Sequence, residues 1–293
     1  MTLALVQQQP TADFDASLRR GLDAYTEAAE AGADLVVFPE LAFTPFYPQR
    51  EAGPDALSLA EPVPGPTTEA FQEAAREHGA SVVLNLYERD GAEAYDTSPV
   101  IEGGSGNLRG RTRMLHITDY EGFHEQGYYA PGNAADGTRA APVYDLPCGR
   151  VGVAICYDRH FPEVLRAHAL AGADLVVVPQ AGVEGEWPDG LFEAELRVGA
   201  FQNGFFMALA NRVGAEERLT FDGGSFVADP FGQLREQAPR GEEMTLYADL
   251  DLARCREAPA RKLFLKHRRP ALYDGGAVRV QANDSAEAQR GET

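Results

Sequence analysis

The chain has 293 residues, with 45 Asp and Glu against 26 Lys and Arg and a net charge of −19 at pH 7. That balance argues against nucleic acid and anionic membrane as partners, since both demand a basic face, and no apolar run approaches the length of a membrane span. Three cysteines without a CxxC spacing, Cys148, Cys156 and Cys255, indicate neither a disulfide framework nor a zinc site, and the six dispersed histidines suggest no metal.

Met1 to Gln7 lacks the basic start and apolar length of a leader and reads as a first strand, which fits a cytoplasmic protein. Asp15 to Ala31 is an amphipathic helix closed by Gly32, and Leu35 to Phe38 is a short buried strand stopped by Pro39. A polar, proline-rich loop, Pro45 to Pro66, precedes a helix from Thr67 to His78. Strands follow at Ser81 to Tyr87 and Ser98 to Glu102, and the turn Gly103 to Asn107 joins the latter to Leu108 to His116 as a hairpin. That turn precedes a strand, so it is no phosphate cradle. Val151 to Ile155 reads as a strand running into a turn and helix, followed by a helix at Pro188 to Gln202 and strands at Phe205 to Asn211, Gly224 to Ala228 and Met244 to Leu250. From about Gly275 the chain turns polar, giving one domain over 1–275 and a tail over 276–293. Ala31 to Val37 and Ala171 to Val177 repeat the same seven residues, AGADLVV, which suggests two pseudosymmetric halves.

Two junctions carry the chemistry. Cys156 stands where an apolar strand gives way to a turn and helix, where a helix dipole would lower the thiol pKa and favour the nucleophilic thiolate. Glu40 stands just past the end of another strand, where open α/β sheets place ligand crevices. A carboxylate facing a thiol is the arrangement that general-base activation of a nucleophile requires.

Phe38-Pro39-Glu40-Leu41, the stretch Gly149 to Asp158 with Phe161-Pro162-Glu163 after it, and Asn211-Arg212-Val213-Gly214 resemble the nitrilase, or carbon–nitrogen hydrolase, superfamily. Phe221 to Gly232 and Arg268 to Tyr273 are similar to its amidase and N-carbamoyl-amide branches, so the likeness runs from about Leu3 to about Tyr273 in consistent order. The resemblance implies an α/β fold, a four-layer αββα sandwich, with homodimers or higher homo-oligomers as the usual unit and no cofactor. It implies Cys156 as the nucleophile of a covalent acyl intermediate, Glu40 as general base and Glu125 as a second, positioning glutamate. The backbone N–H of Tyr157 would be an oxyanion donor.

The resemblance also implies a triad lysine, and Met114 stands in its place. Strand alternation puts Thr112, Met114 and His116 on one face and Arg111 and Arg113 on the other. Three accounts stay open: a register gap of one or two residues, another electrophile such as His116, or a pocket that has lost fast catalysis. Expected pocket walls are Phe43, Tyr47, His116 and Trp187, around a small-molecule substrate. A small linear amide or N-carbamoyl compound is the leading expectation. A small nitrile, or ligand binding without turnover, is the alternative.

Overall fold

The computed structural model describes residues 1–132 and 141–273; the polar tail lies outside the described residues. In chain order the larger elements are β1 (Thr2–Gln7), α1 (Phe14–Glu30), β2 (Leu35–Val37), α2 (Pro66–His78), β3 (Ser81–Val83), β4 (Leu86–Asp90), β5 (Glu93–Ile101) and β6 (Leu108–Arg113). The second part contains β7 (Val143–Leu146), β8 (Gly149–Val153), α3 (Pro162–Ala171), β9 (Leu175–Gln180), α4 (Leu191–Asn203) and β10 (Phe206–Asn211). A small ribbon of β11 (Val213–Ala215) and β12 (Thr220–Asp222) follows, then β13 (Phe226–Ala228), β14 (Leu234–Gln237) and β15 (Met244–Asp249).

One sheet runs β15-β1-β2-β3-β5-β4, with β6 also paired to β5, and the other runs β14-β13-β10-β9-β8-β7. Strand alternation sorts the side chains into layers. Leu3, Leu5, Leu35 and Val37 face Val151, Val153, Leu175 and Val177 in one apolar layer between the sheets. Their neighbours Ala4, Val6, Val36 and Phe38 face outward to pack with Tyr25 and Phe71 of α1 and α2, while Val176 and Val178 pack with Leu165 and Leu196 of α3 and α4. Four layers, αββα, are the result, as the sequence motifs imply.

The repeated AGADLVV segments occupy equivalent places. Each places a glycine with positive φ after a helix, Gly32 at 93° and Gly172 at 87°, a conformation that costs glycine little. Each then enters the central strand of a parallel trio: β1-β2-β3 with Leu3 and Ser81 flanking Leu35, and β8-β9-β10 with Val151 and Phe206 flanking Leu175. The aspartates correspond as well. Asp34 bridges Thr2 and Ser81 through its backbone, and Asp174 bridges Arg150 and Phe206 in the same way.

Three elements differ from expectation. The single strand expected over Ser81 to Tyr87 breaks at Leu84 and Asn85, because Asn85 turns inward to satisfy other buried groups. The hairpin strand β6 stops at Arg113, so Met114 lies just beyond it and His116 farther out. After β8 a short 3₁₀ turn over Cys156–His160 precedes α3, so the thiol is not at the head of the α-helix. Leu5 is fully buried between the sheets. Leu5→Ala is therefore expected to cost about 2–5 kcal/mol, read as a lower denaturant midpoint with an unchanged slope.

Candidate active site

Glu40 follows β2 and Cys156 follows β8, so one group arrives from each sheet. Both junctions contain a non-glycine residue in the left-handed region: Leu41 at φ 44° and Cys156 at φ 40°. Such residues cost on the order of 1–3 kcal/mol and persist where their surroundings over-determine them. Around Glu40, buried Arg212 donates to the carbonyls of Glu40 (2.9 Å), Leu41 and Thr44 (3.1 Å), with its charge met by Glu216. Asn85 accepts from the Leu41 N–H at 2.8 Å. Around the thiol, buried Arg159 donates to the Cys156 carbonyl at 2.9 Å and to Gln180 Oε1 at 2.8 Å, and pairs with Glu195 at 3.1 Å.

Four ionisable side chains meet at this seam. Glu40, Asp96 and Glu125 are fully buried, and Cys156 is 6% exposed. The Glu40 carboxyl lies near enough to Asp96 and the Cys156 thiol for each to act on its proton affinity, and the Ala181 backbone N–H acts in the same way on the sulfur. Asp96 Oδ1 accepts from Asn85 Nδ2 at 2.5 Å. Both Glu40 oxygens, Asp96 Oδ2, Glu125 Oε1 and the Tyr129 hydroxyl are buried without a hydrogen-bond partner among the described residues. Buried polar groups are ordinarily satisfied, so a cluster of orphans marks where a polar ligand would be received.

Burial dominates the proton affinities. It pushes Glu40 up to about 7, reinforced by the Glu125 charge and opposed by contacts with Asp96 and Cys156 and by the Arg212 charge. Burial and then Glu40 raise Asp96 well above the usual carboxylate range, and burial and then Asp96 do the same to Glu125. The Cys156 thiol is also pushed well up, by burial first and Glu40 second, against a lowering from Arg159. This corrects the expectation of a standing thiolate: a short 3₁₀ turn supplies too little dipole to overcome desolvation and nearby carboxylates. A thiol held this way reacts as a nucleophile only with a proton acceptor beside it, and Glu40 is the carboxyl in that place.

Met114 is fully buried in the inter-sheet layer together with Cys156. Its N–H donates to the Asp96 carbonyl at 2.9 Å, extending by one step the ladder that pairs Thr97 with Arg113. Arg111 and Arg113 face away, as alternation predicts, and are held by Glu88 and Asp90. His116 does not replace the lysine either. Its ring stacks on Phe161 at 3.5 Å and its Nδ1 lies 2.7 Å from Asp158 Oδ1.

The other expected residues are dispersed around this seam. Tyr47 stacks on Tyr128 and borders a cavity of about 320 Å³ shared with Leu41, Asn85 and Tyr87. Phe43 also borders that cavity, but its ring packs on Phe38 and Phe71 in the outer layer, so it is mainly a core residue rather than a wall. Trp187 is 36% exposed and rests edge-on against His160 at the surface. Tyr157 follows Cys156 within the 3₁₀ turn, its ring against His160 and Phe161.

Of the three thiols Cys148 is the most open, not Cys156; Cys255 is fully buried. Burial raises Cys148 to about 11 and Cys255 to about 12. Asp96 and Asn85 escaped the sequence reading. The signal available was the run Asp96-Thr97-Ser98, polar at consecutive positions of a strand that proves buried on both faces.

A family model described as carbon-nitrogen hydrolase matches residues 2–260. An N-carbamoylputrescine amidase of Solanum lycopersicum is 29% identical, with 93% of each chain covered. A nitrilase of Pyrococcus abyssi is 32% identical over 92% of this chain and 98% of its own. A solved carbon–nitrogen hydrolase of Helicobacter pylori superposes with a TM-score of 0.84 at 26% identity, covering 93% of this chain and 97% of that one.

The raised carboxyls make stability depend on pH. A group whose folded pKa lies above its unfolded value stabilises fully below the unfolded value, near 4.5 for Glu40, and that contribution is lost as pH rises through about 7. Asp96 and Glu125 act in the same sense. The melting temperature is expected to fall between pH 5 and pH 8, and Asp96→Asn to raise the pH 8 value and flatten the profile. The exposed control Glu77→Gln should change neither. Thermal melts across that range provide the measurement.

Proposed function

The chain belongs to the carbon–nitrogen hydrolase family of amidase-like enzymes, and from that premise we propose that it hydrolyses a small linear amide or N-carbamoyl compound through Cys156. The observation that carries the proposal is that Glu40, its carboxyl oxygens unpartnered, and the Cys156 thiol are buried close together at a seam where strand ends of two sheets meet.

Glu40 takes the thiol proton while Sγ bonds to the carbonyl carbon. The Tyr157 N–H donates to the oxygen that becomes negative. Glu40 then gives its proton to the departing nitrogen, so ammonia or an amine leaves and the acyl group remains on sulfur. Water follows: Glu40 accepts its proton, the hydroxide bonds to the acyl carbon, the C–S bond breaks, and Glu40 returns the proton to sulfur as the acid departs. Glu125 holds the reacting group through the oxygen not engaged by the Thr118 N–H. We assign the catalytic unit to one domain over 1–275 and expect a cytoplasmic homo-oligomer without a cofactor. A nitrile substrate would follow the same first step.

Met114 weakens the amide reaction, because an oriented donor to an oxyanion is worth roughly 10²–10³ in rate. Wild-type protein is expected to release ammonia slowly from members of an amide and N-carbamoyl panel, and Cys156→Ala to abolish release. Met114→Lys should raise amide turnover on the order of 10²-fold without loss of melting temperature, since Asp96 across the ladder would pair the new ammonium. Silence of both proteins over the panel would leave a ligand-binding homologue as the better account.

The same assignment has a pH signature. Glu40 must be ionised to act as a base, so kcat/KM should rise as pH increases through about 7. A profile flat from pH 5 to pH 8 would remove Glu40 from the base role.

A further inference from the structure

The polarity at position 114 is inverted relative to what amide hydrolysis asks for. Where the resemblance implies an ammonium aimed at a developing oxyanion, the chain has the apolar, fully buried Met114. The next side chain across the ladder is Asp96, and opposed residues on one face of an antiparallel pair lie about 4.5–5.5 Å apart at Cβ. A hydrogen-bond acceptor thus stands beside the place of the expected donor. An oxyanion forming there would meet carboxyl oxygens of Asp96 and Glu40, whereas a group rich in N–H donors would satisfy them.

A second observation points to a ligand of that kind. The Tyr129 hydroxyl is buried, without a partner among the described residues, and lies within the fields of Asp96, Glu125 and Glu40. A planar ligand with several donors can serve the unfilled carboxyl oxygens and leave this hydroxyl a nitrogen to contact. The nearest basic side chains are already engaged: Arg212 by Glu216 and three carbonyls, Arg159 by Glu195, Gln180 and the Cys156 carbonyl. The Tyr120 hydroxyl donates to Glu186 at 2.7 Å, and the Glu186 charge acts on Glu125, so a further carboxylate stands near the seam.

We propose that the Cys156 site also hydrolyses small amidinium compounds, with the unpartnered Asp96 carboxyl oxygen accepting an N–H of the group that reacts. This rests on Cys156 and Glu40 forming the hydrolytic pair. Glu40 takes the thiol proton as Sγ bonds to the amidinium carbon, and the positive charge of the substrate is cancelled, giving a neutral tetrahedral adduct. Glu40 returns the proton to one amino group, the C–N bond breaks and ammonia leaves, and the carbon stays on sulfur as a cationic thioimidate. Water then adds with its proton going to Glu40, the C–S bond breaks, the thiol recovers a proton from the new hydroxyl, and an amide is released. The proton left on Glu40 passes to solvent, where the released ammonia takes it up, so the sum is amidinium plus water to amide plus ammonium. No negative oxygen forms in the first addition, which removes the need for a cation at position 114.

The test measures ammonia release by the wild-type protein from matched pairs, acetamidine against acetamide and propionamidine against propionamide. The amidine is expected to have the higher kcat/KM, by about tenfold or more, the scale of one charge-assisted contact. Asp96→Asn should reverse the order by lowering amidine turnover at least about tenfold more than amide turnover; a merely structural role would lower both by the same factor. Should that variant fold poorly, protection of wild-type Cys156 from iodoacetamide, read by mass spectrometry of its peptide, replaces it. Acetamidine should then protect at lower concentration than acetamide. Amides hydrolysed as well as or better than amidines, or equal protection by the two, overturns the amidinium proposal and leaves amide hydrolysis standing. No ammonia from either class overturns both.

Discussion

Desolvation of the seam between the two sheets is the constraint from which the rest of the site follows. A glutamate and a cysteine at strand ends would behave as ordinary surface groups in water. Buried at the seam, they hold their protons more tightly, Glu40 up to about 7 and the thiol higher still. A base with that proton affinity can both accept and return a proton near neutral pH, which a carboxylate near 4 does poorly.

Holding such groups in place demands a stiff frame. Leu41 and Cys156 sit in a conformation that side-chain-bearing residues avoid, and two buried arginines secure the turns around them. The Asn211-Arg212 motif is explained in this way, as support for the Glu40 turn and not as a contact with substrate. Asn211 bonds Gly182 and Gly223, tying β10 to the loops behind the nucleophile. Strain at the reacting residues is thus matched by hydrogen bonds to groups that would otherwise be buried unsatisfied.

Electrostatics then decides which reacting group suits the pocket. Carboxyls crowd around Glu40 while Arg111 and Arg113, close in sequence to the missing lysine, are drawn to Glu88 and Asp90 on the opposite face of the sheet. A two-residue period is enough to keep those charges out of the site, however short the chain distance. Met114 fills its place by packing, and the charge that would have balanced Asp96 and Glu40 must arrive with a ligand or as protons.

What the amino-acid sequence determined by itself is the set of elements with strong periodic or terminal signals. The helix closed by Gly32, the parallel strands at Leu35 and Leu175, and the repeated AGADLVV units were all legible, because burial of an alternating apolar strand and a glycine helix end are local demands. The order of motifs likewise singled out Glu40, Glu125 and Cys156, which the fold buries at one seam, and alternation placed Met114 inward and the two arginines outward. Only the tertiary structure decided the proton affinities, since desolvation depends on what covers a group and not on its neighbours in the chain. It decided the break at Asn85 and the inward turn of Asp96, which serve partners 44 and 11 residues away. It also moved Phe43 into the outer core and bound His116 to Asp158, contacts between segments that no local pattern encodes.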